Sequence, residues 1–400
     1  MQKKRFGSPL VQAAAVAVGV TTAALTGMSG AGAAVTAPAN HGSSPSFTVT
    51  RIASGQRLTH SFTAAGSGQR HQEHLTSPDD ITMLRGRLYV AFQNGVGPQG
   101  QASTDGNRDS TVVEFTTGGR EIRQWDLTGK CDGLTADPQA GIVVATINED
   151  ANSSLDTVTP AARPGHQIGH YAYSEPLPHH GGTDAISVYH GQLLVSASAP
   201  GTSGAAAPNP AYPAVYAVAL HGRTHVAAVR PLFYDEASAT VANTGATAGK
   251  TVKLALTDPD SNEIVPSTAP RFGGDFMLTS QGDKEQIYVR HAGARRQSLA
   301  VLRLSQSVDD TAWVTGPGRI FTTDNSQDYV DTVTGSFRPG AAFVAVTPCD
   351  ASNAPATCPA PPAFPANYLG QLNMSTGHIS KVTLSGPSLQ PQGMIFAPGW

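Results

Sequence analysis

The sequence predicts an all-β protein assembled from repeated strand pairs, and two observations support this prediction. The first is a recurring pattern in which a turn with an acidic residue or Gly precedes an apolar strand, a second turn and a second apolar strand. The second is the composition, with 42 Gly and 29 Pro but only 14% charged residues, which suits many short strands and tight turns. Such repetition is typical of a β-propeller. The pattern occurs at 78–92, 131–146, 182–198, 273–289 and 309–321, with a truncated copy at 391–399.

The N-terminal segment predicts a secretory signal peptide. Three basic residues, Lys3, Lys4 and Arg5, precede an apolar, Ala-rich run from Leu10 to Met28, and Ala31 to Ala33 form a small-residue cleavage site. A membrane anchor is the alternative, which the polar residues within the run disfavour. We therefore expect a secreted protein without a membrane span after cleavage. The predicted organisation is a signal peptide at 1–34, a disordered leader at 35–45 and one propeller domain at 46–400.

The charge distribution bears on the partners of the protein. The net charge is −3, and no block of basic residues follows the signal segment, which argues against a nucleic-acid partner. A small molecule, or an extracellular polymer or protein, is the expected partner. We expect the chain to be a monomer.

The spacing of the repeats predicts six blades, with seven as the second choice. The interval of 91 residues from Asp184 to Asp275 contains an insertion or a further blade. The segments at 46–52 and 57–64 lack the acidic turn and are predicted to be outer strands. The C-terminal segment would add their inner strand, so that both termini close the ring and leave no free sheet edge. The residues predicted to begin inner strands are Asp80, Gly133, Asp184, Asp275, Asp310 and Gly393.

The strand pair PDDITMLRGRLYVAF (78–92) resembles those of NHL-type and gluconolactonase-like six-bladed propellers. In that superfamily a Pro-Asp turn opens the inner strand, and Leu-Tyr-Val forms the next strand. The resemblance covers most of 73–400. It implies that the chain is either a binding protein or a calcium- or zinc-dependent lactonase or esterase, whose ligands are a Glu, two Asn and an Asp around the central channel. Glu73 is the Glu nearest the first inner strand, and no complete ligand set matches by position.

Three acidic residues at strand starts are candidate catalytic residues. Asp80, Asp184 and Asp275, joined by Asp310, would meet at one mouth of the channel, where carboxylates bind cations or carry out acid–base steps. The structural alternative, which we favour, is that an Asp at the head of a strand accepts hydrogen bonds from the adjoining turn.

A histidine cluster precedes the third inner strand. His166, His170, His179 and His180 fall within fifteen residues, and the last two lie just before Asp184. Adjacent residues of an extended segment point to opposite sides, so only one of that pair would face the channel. His180 is therefore the fourth catalytic candidate, and surface histidines on a long loop are the alternative.

The segment LTDPDSNE (256–263) is a candidate metal site. Asp258, Asp260 and Asn262 alternate as the oxygen ligands at the start of calcium loops do, and Asp275 follows closely. The segment lacks the Gly and the Glu that an EF-hand needs at its sixth and twelfth positions. A simpler site for Ca²⁺ or another divalent cation remains the hypothesis, and an ordinary polar turn is the alternative.

The cysteines predict one disulfide. Cys349 and Cys358 flank a Pro- and Ala-rich loop and are the natural pair in an exported protein. Cys131 would be unpaired and buried, as a small apolar residue of the core.

The sequence contains no Ser nucleophile elbow, no phosphate-binding Gly–Lys loop and no zinc-protease helix motif. We therefore expect a propeller that binds a ligand or partner at one face of the disc. The alternative is a metal-dependent hydrolase, similar to lactonases or esterases, with a cation in the central channel. Whether the protein is an enzyme stays open at this point.

Overall fold

The computed structural model describes residues 47–178, 181–200, 211–349, 358 and 365–399. The predicted signal peptide, the leader and His180 lie outside the described residues. In the described part, the regular elements are β-strands and one short 3-10 turn. None of its helical segments is long and apolar enough to cross a membrane. The first elements are β1 (Phe47–Ser54), the 3-10 turn (Gly55–Arg57), β2 (Thr59–Thr63) and β3 (Arg70–His74).

The next strands form three consecutive four-stranded antiparallel blades, each running from the centre outwards. Blade 1 contains β4 (Pro78–Leu84), β5 (Arg87–Phe92), β6 (Asp109–Thr116) and β7 (Glu121–Thr128). Blade 2 contains β8 (Cys131–Asp137), β9 (Ile142–Ile147), β10 (Ser154–Val158) and β11 (Ile168–Tyr173). Blade 3 contains β12 (Thr183–Tyr189), β13 (Gln192–Ala197), β14 (Pro213–His221) and β15 (Val226–Tyr234).

The remaining strands form three further blades. Two short strands, β16 (Ser238–Val241) and β17 (Thr251–Lys253), extend the outer edge of blade 4. Blade 4 itself contains β18 (Pro259–Ile264), β19 (Phe276–Ser280), β20 (Glu285–Arg290) and β21 (Ser298–Arg303). The last elements are β22 (Val308–Trp313), β23 (Gly318–Asp324), β24 (Tyr329–Thr334), β25 (Ala342–Val346), β26 (Tyr368–Leu372), β27 (Ile379–Lys381), β28 (Leu384–Ser385) and β29 (Met394–Pro398). Blade 5 has the order β22-β25-β26-β27, and blade 6 has the order β29-β23-β24-β1-β28.

Six inner strands, one from each of these blades, line the centre of the ring. They are β4, β8, β12, β18, β22 and β29; each contacts the next, and β29 contacts β4. The C-terminal β29 and the N-terminal β1 belong to the same blade, so both ends of the described chain close the ring. The predicted all-β propeller class is confirmed.

The apolar core lies between the blades rather than within one sheet. Each of the six clusters of buried apolar side chains joins two neighbouring blades; one example combines Leu194 and Val215 of blade 3 with Phe276 and Ile287 of blade 4. Because each blade packs only on its neighbours, the described ring has no single central core.

The prediction that Asp275 begins an inner strand is wrong. Asp275 immediately precedes β19, the second strand of blade 4, and the inner strand is β18. The segment 273–289 is thus the second and third strands of its blade. Sequence reasoning interpreted 256–263 as a polar loop because Asn262 stands where four of the other five inner strands have Ile, Leu or Met, and the charged Glu263 follows it.

The predicted strand pair at 309–321 is divided between two blades. β22 is the inner strand of blade 5, but β23 pairs with β29 and β24 of blade 6. Hairpins in other blades turn through two residues with positive φ, such as Arg85 and Gly86. Neither Gly316 nor Gly318 has a positive φ, so the chain crosses to the next blade instead.

The segment at 57–64 is not an outer strand of a blade. Its strand β2 pairs with β3 in a separate two-stranded hairpin, and β1 alone joins the outer edge of blade 6. Cys349 and Cys358 form a disulfide, and Cys131 is free and buried at the start of β8.

Candidate functional site

A cavity of about 430 Å³ opens where the inner strands begin. Side chains from all six inner strands line it, together with residues of the loops that follow the second strands, such as Gln93 and Glu149. Its acidic lining residues are Asp79, Asp80, Asp132, Glu149, Asp184, Asp260, Glu263, Asp309 and Asp310. Among the described lining residues, Lys130 is the single basic one.

The inner strands present an acidic residue at the same position of each blade. Five of these strands begin with a register shift against the second strand, for example between Pro78 and Ile81 of β4, which is the mark of a β-bulge. The first residue of the bulge lines the cavity. We call this set the ring position: Asp79, Asp132, Asp184, Asp260, Asp309 and, just before β29, Gln392.

The residue after the ring position contacts the next inner strand. The Oδ2 atom of Asp80 accepts a hydrogen bond from the backbone N–H of Leu134 at 2.6 Å, and Oδ2 of Asp310 accepts one from the N–H of Met394 at 2.5 Å. A Cβ at Gly133 would lie 2.5 Å from the carbonyl oxygen of Asp184. The space between β8 and β12 therefore accommodates only Gly at this position. This second position therefore joins blades, whereas the structural interpretation of these Asp residues predicted hydrogen bonds from the adjoining turn.

Lys130 is paired with two carboxylates at the cavity rim. Its Nζ lies 2.9 Å from Oδ1 of Asp132 and also contacts Oε1 of Glu149. Gln93 donates a second hydrogen bond to the same Oδ1 atom at 2.9 Å. Lys130, the single basic residue among the described lining residues, is thus already engaged, and those residues supply no further basic side chain for the other carboxyls.

Several buried polar atoms of the cavity lining have no hydrogen-bond partner among the described residues. Both amide atoms of Asn262, the hydroxyl of Ser187 and the Oδ2 atoms of Asp132 and Asp260 are in this group. Asn262, Asp132 and Ser187 are 4%, 5% and 6% exposed. An unpaired buried polar group costs about 1–3 kcal/mol, which a bound ligand would recover.

Burial, together with mutual repulsion at most of them, raises the pKa values of seven cavity carboxyls. Burial raises the pKa of Asp79 to about 7, with Lys130 opposing and Glu149 adding to the shift. Burial raises the pKa of Asp310 to about 6. Burial, followed by repulsion from Asp309 and Asp184, raises the pKa of Asp260 well above its usual value. The other carboxyls whose pKa burial raises well above the usual range are Asp80, Asp132, Asp184 and Glu263.

The structure brings some of the predicted site residues together and not others. Asp80 and Asp184 line the cavity, as do Asp260 and Asn262. Asp275 lies outside it and pairs with Arg290, with 3.7 Å between Oδ1 and Nε. Asp258 lies directly before β18, where its carbonyl accepts the N–H of Gln281; His180 is outside the described residues.

Sequence reasoning missed Asp79, Asp132, Asp309 and Glu263, as well as Lys130. The signal for the three Asp residues was present, because each stands one residue before a residue predicted to begin an inner strand, namely Asp80, Gly133 or Asp310. The residues predicted to begin inner strands therefore belong to two different positions. Asp80 and Asp310 stand one residue after the ring position, whereas Asp184 is at the ring position.

The described histidines of the cluster lie away from the cavity. His170 is on β11, the outer strand of blade 2, and its Nδ1 lies 2.7 Å from Oδ1 of Asp156. His166 lies in the preceding turn. Glu73, the Glu nearest the first inner strand in the sequence, is in β3 and contacts Nε2 of His60 at 3.0 Å.

The cavity does not provide the metal site that the resemblance implies. In the part of the chain that the structure describes, no three His, Cys, Asp or Glu side chains are placed to hold one metal ion. The carboxylates surround a space of about 430 Å³ instead of converging on a point, and those of Asp80 and Asp310 accept backbone N–H groups. The Glu, Asn, Asn and Asp set therefore does not fit these residues.

No protein family model matches this chain, and no curated protein is similar to it. Solved structures with a similar fold include gluconolactonase-like proteins and other β-propellers. The periplasmic gluconolactonase PpgL of Pseudomonas aeruginosa is 12% identical, with a TM-score of 0.44, and the match covers 88% of this chain and 98% of that one.

Two further structures illustrate the range of proteins with this likeness. A chain of a nidogen/laminin complex is 9% identical with a TM-score of 0.45, over 88% of this chain and 98% of that one. The hydrazine synthase of Kuenenia stuttgartiensis is 11% identical with a TM-score of 0.38, over 75% of this chain and 64% of that one, less than two thirds of its length. The low identities leave the assignment of function to the site itself.

Proposed function

We propose that this chain is a secreted propeller that binds a ligand in its central cavity, at the face of the disc where the inner strands begin. The observation that supports the proposal is the ring position, where five blades place Asp although Gln392 occupies the same position in the sixth. Blade geometry therefore does not require a carboxylate there. Several buried carboxylates that face one another cost free energy, and groups of this kind are concentrated at functional sites.

The size of the cavity favours a small molecule as the ligand. Its volume of about 430 Å³ lies within the range of small-molecule sites, about 300–1,000 Å³. An extracellular polymer or protein that inserts a side chain or a chain end into the mouth is the other class of partner. We further propose a secreted monomer, on the signal-peptide pattern of the N-terminal segment.

The test is ligand-dependent thermal unfolding of the purified mature protein and of Asp184→Asn. The panel contains organic cations, divalent cations, sugar lactones and sugar acids. At least one class should raise the unfolding midpoint of the wild type, and Asp184→Asn should reduce that shift while keeping the fold. Glu121→Gln, on the exposed side of β7, is the matched control and should behave as wild type. A wild type that no class stabilises would contradict the proposal.

Hydrolysis of lactones or esters is a second candidate, which one observation favours. Asp79 lies in the cavity with a pKa that burial raises to about 7, so it holds a proton near neutral pH as a general acid does. The measurement is turnover of lactone and nitrophenyl ester substrates by wild type and Asp79→Asn, with calcium and with EDTA. Turnover should fall as pH rises above about 7 and should be lost in the variant. Turnover no faster than buffer would exclude this candidate.

A further inference from the structure

The cavity has a large excess of negative groups over positive ones. Among the described residues, nine carboxyls line it, and the single basic lining residue, Lys130, is already paired with Asp132 and Glu149. Part of this charge is suppressed by bound protons, because burial and mutual repulsion favour the neutral carboxyl forms. A cation that entered would replace those protons and would meet several carboxylates at once.

The acidic cavity continues along the channel. A second cavity, of about 480 Å³, lies toward the far ends of β8, β12 and β18 and shares Thr135, Ser187 and Glu263 with the first. Glu263 follows the ring residue Asp260 by three positions, which is roughly 10 Å along a strand. The bulge at Asp260 changes the alternation of β18, so that both carboxyls line the same cavity. Negative charge is therefore available at two depths.

The cavity lining near these two carboxyl positions contains apolar side chains and also buried polar atoms that have no hydrogen-bond partner among the described residues. Met83, Ala136 and Ile395 contribute apolar surface. Oδ1 of Asn262 and Oγ of Ser187 are buried acceptors without a partner among the described residues. An alkylammonium chain combines the groups that such a lining would bind: N–H donors for the oxygens and methylene groups for the apolar side chains.

We infer that the central channel binds a linear organic polycation, an alkyl polyamine, with one ammonium group at the ring of Asp side chains and another near Glu263. This inference rests on the proposed function and names the ligand class of the same site. A divalent metal ion fits less well, because no three acidic or histidine side chains of the described residues converge to hold one. A polyamine does not require several carboxylates to converge on one point, since its charges are distributed along a flexible chain.

The experiment is titration calorimetry of the mature wild-type protein at pH 7 with spermidine, n-butylamine and calcium chloride. Spermidine should bind at one site and about tenfold or more tightly than n-butylamine, which carries a single charge. Glu263→Gln should weaken spermidine binding by about tenfold, the effect of one lost ion pair of moderate strength, and should leave n-butylamine binding unchanged. Glu121→Gln is the matched control for charge and should leave all affinities unchanged.

Proton exchange gives a second readout. The carboxyls that face the first cavity from β4, β8, β12, β18 and β22 are those of the ring, Asp80, Glu263 and Asp310, with Glu149 and Lys130 at the rim, and Asp137 and His190 line the second cavity beside Glu263. Spermidine binding should release protons from carboxyls whose pKa burial raises, such as Asp79, so its measured enthalpy should differ between phosphate and Tris buffers.

The possible results separate the inference from the proposed function. Calcium binding that Asp184→Asn abolishes, without spermidine binding, would overturn the polyamine inference and support the proposed site. Equal affinities for spermidine and n-butylamine, or an unchanged affinity in Glu263→Gln, would also overturn it. If spermidine, calcium and the lactone and sugar-acid panel all fail to bind, both the inference and the proposed function are wrong.

Discussion

The carboxylate of Asp80 joins two blades through the backbone of Leu134. Its Oδ2 atom accepts the N–H of Leu134 at 2.6 Å, and its Oδ1 atom accepts the N–H of Ile81 in its own strand. Asp310 repeats this arrangement with Met394 and Thr311. Asp79, one position before Asp80, accepts a hydrogen bond from the side-chain amide of Asn325 rather than from a backbone N–H, and both Asp79 and Asp80 line the cavity. Two adjacent positions of one strand therefore carry different roles, and substitutions at them should have opposite effects on stability.

We predict that Asp80→Ala destabilises the fold by about 1–3 kcal/mol, because it leaves the buried N–H of Leu134 without a partner. Urea denaturation at pH 5, where repulsion between the cavity carboxyls is small, measures this loss. Asp105→Ala, in an exposed turn, is the control and should be neutral. An Asp80→Ala protein as stable as wild type at pH 5 would show that the bridge contributes nothing.

At the ring position we predict a gain of stability. Asp260→Asn keeps the shape of the side chain and removes a charge that faces Asp309 and Asp184. Its unfolding midpoint should rise at pH 8, by about 1–2 °C for each kcal/mol gained, and should rise less at pH 5, because the raised pKa of the Asp260 carboxyl favours its neutral form as pH falls. Loss of stability at pH 8 would mean that Asp260 is a structural residue, as Asp80 is.

The fold was predictable where the signals are local. Alternating apolar residues and two-residue turns with positive φ at Arg85–Gly86 and His190–Gly191 are read from adjacent positions, and they identify β4–β5 and β12–β13. The crossing of β23 into blade 6 depends on pairing with β29, more than 70 residues later, for which the sequence carries no local signal. The ring position was missed because a bulge decides which of two adjacent Asp residues binds the backbone of the next blade. Asp79 and Asp80 both line the cavity, but Asp80 accepts the N–H of Leu134.

We predict that the stability of the wild type falls as pH rises from about 4 to 8. The folded-state pKa values of Asp79 and Asp310 are raised to about 7 and about 6, above those of an unfolded chain. Between the unfolded and folded pKa values the native state binds more protons, so the free energy of unfolding decreases with pH. His60 acts in the same direction, since Asp126 and Glu73 raise its pKa against the effect of burial.

Unfolding midpoints measured across this pH range test the prediction. The slope should be smaller in Asp260→Asn and in Asp79→Asn, and a saturating ligand of the cavity should stabilise the protein more at pH 8 than at pH 5. A flat profile, or a slope that these variants leave unchanged, would mean that the cavity carboxyls are not the groups that titrate.

Deletion of residues 391–400 removes the inner strand of blade 6 and should open the ring. β29 lies between β23 and β4. Removing its buried Met394 and Phe396 would expose the side chains of both neighbouring strands to solvent. Truncating side chains of this kind costs about 2–5 kcal/mol each, so the loss should be about 5–10 kcal/mol, with unfolding that is no longer cooperative at physiological temperature. Circular dichroism during heating measures this loss of stability. Gly393→Ala, whose Cβ would meet the carbonyl of Asp79, should disturb the same contact between β29 and β4 less severely. Cooperative unfolding at the wild-type midpoint after the deletion would contradict closure by β29.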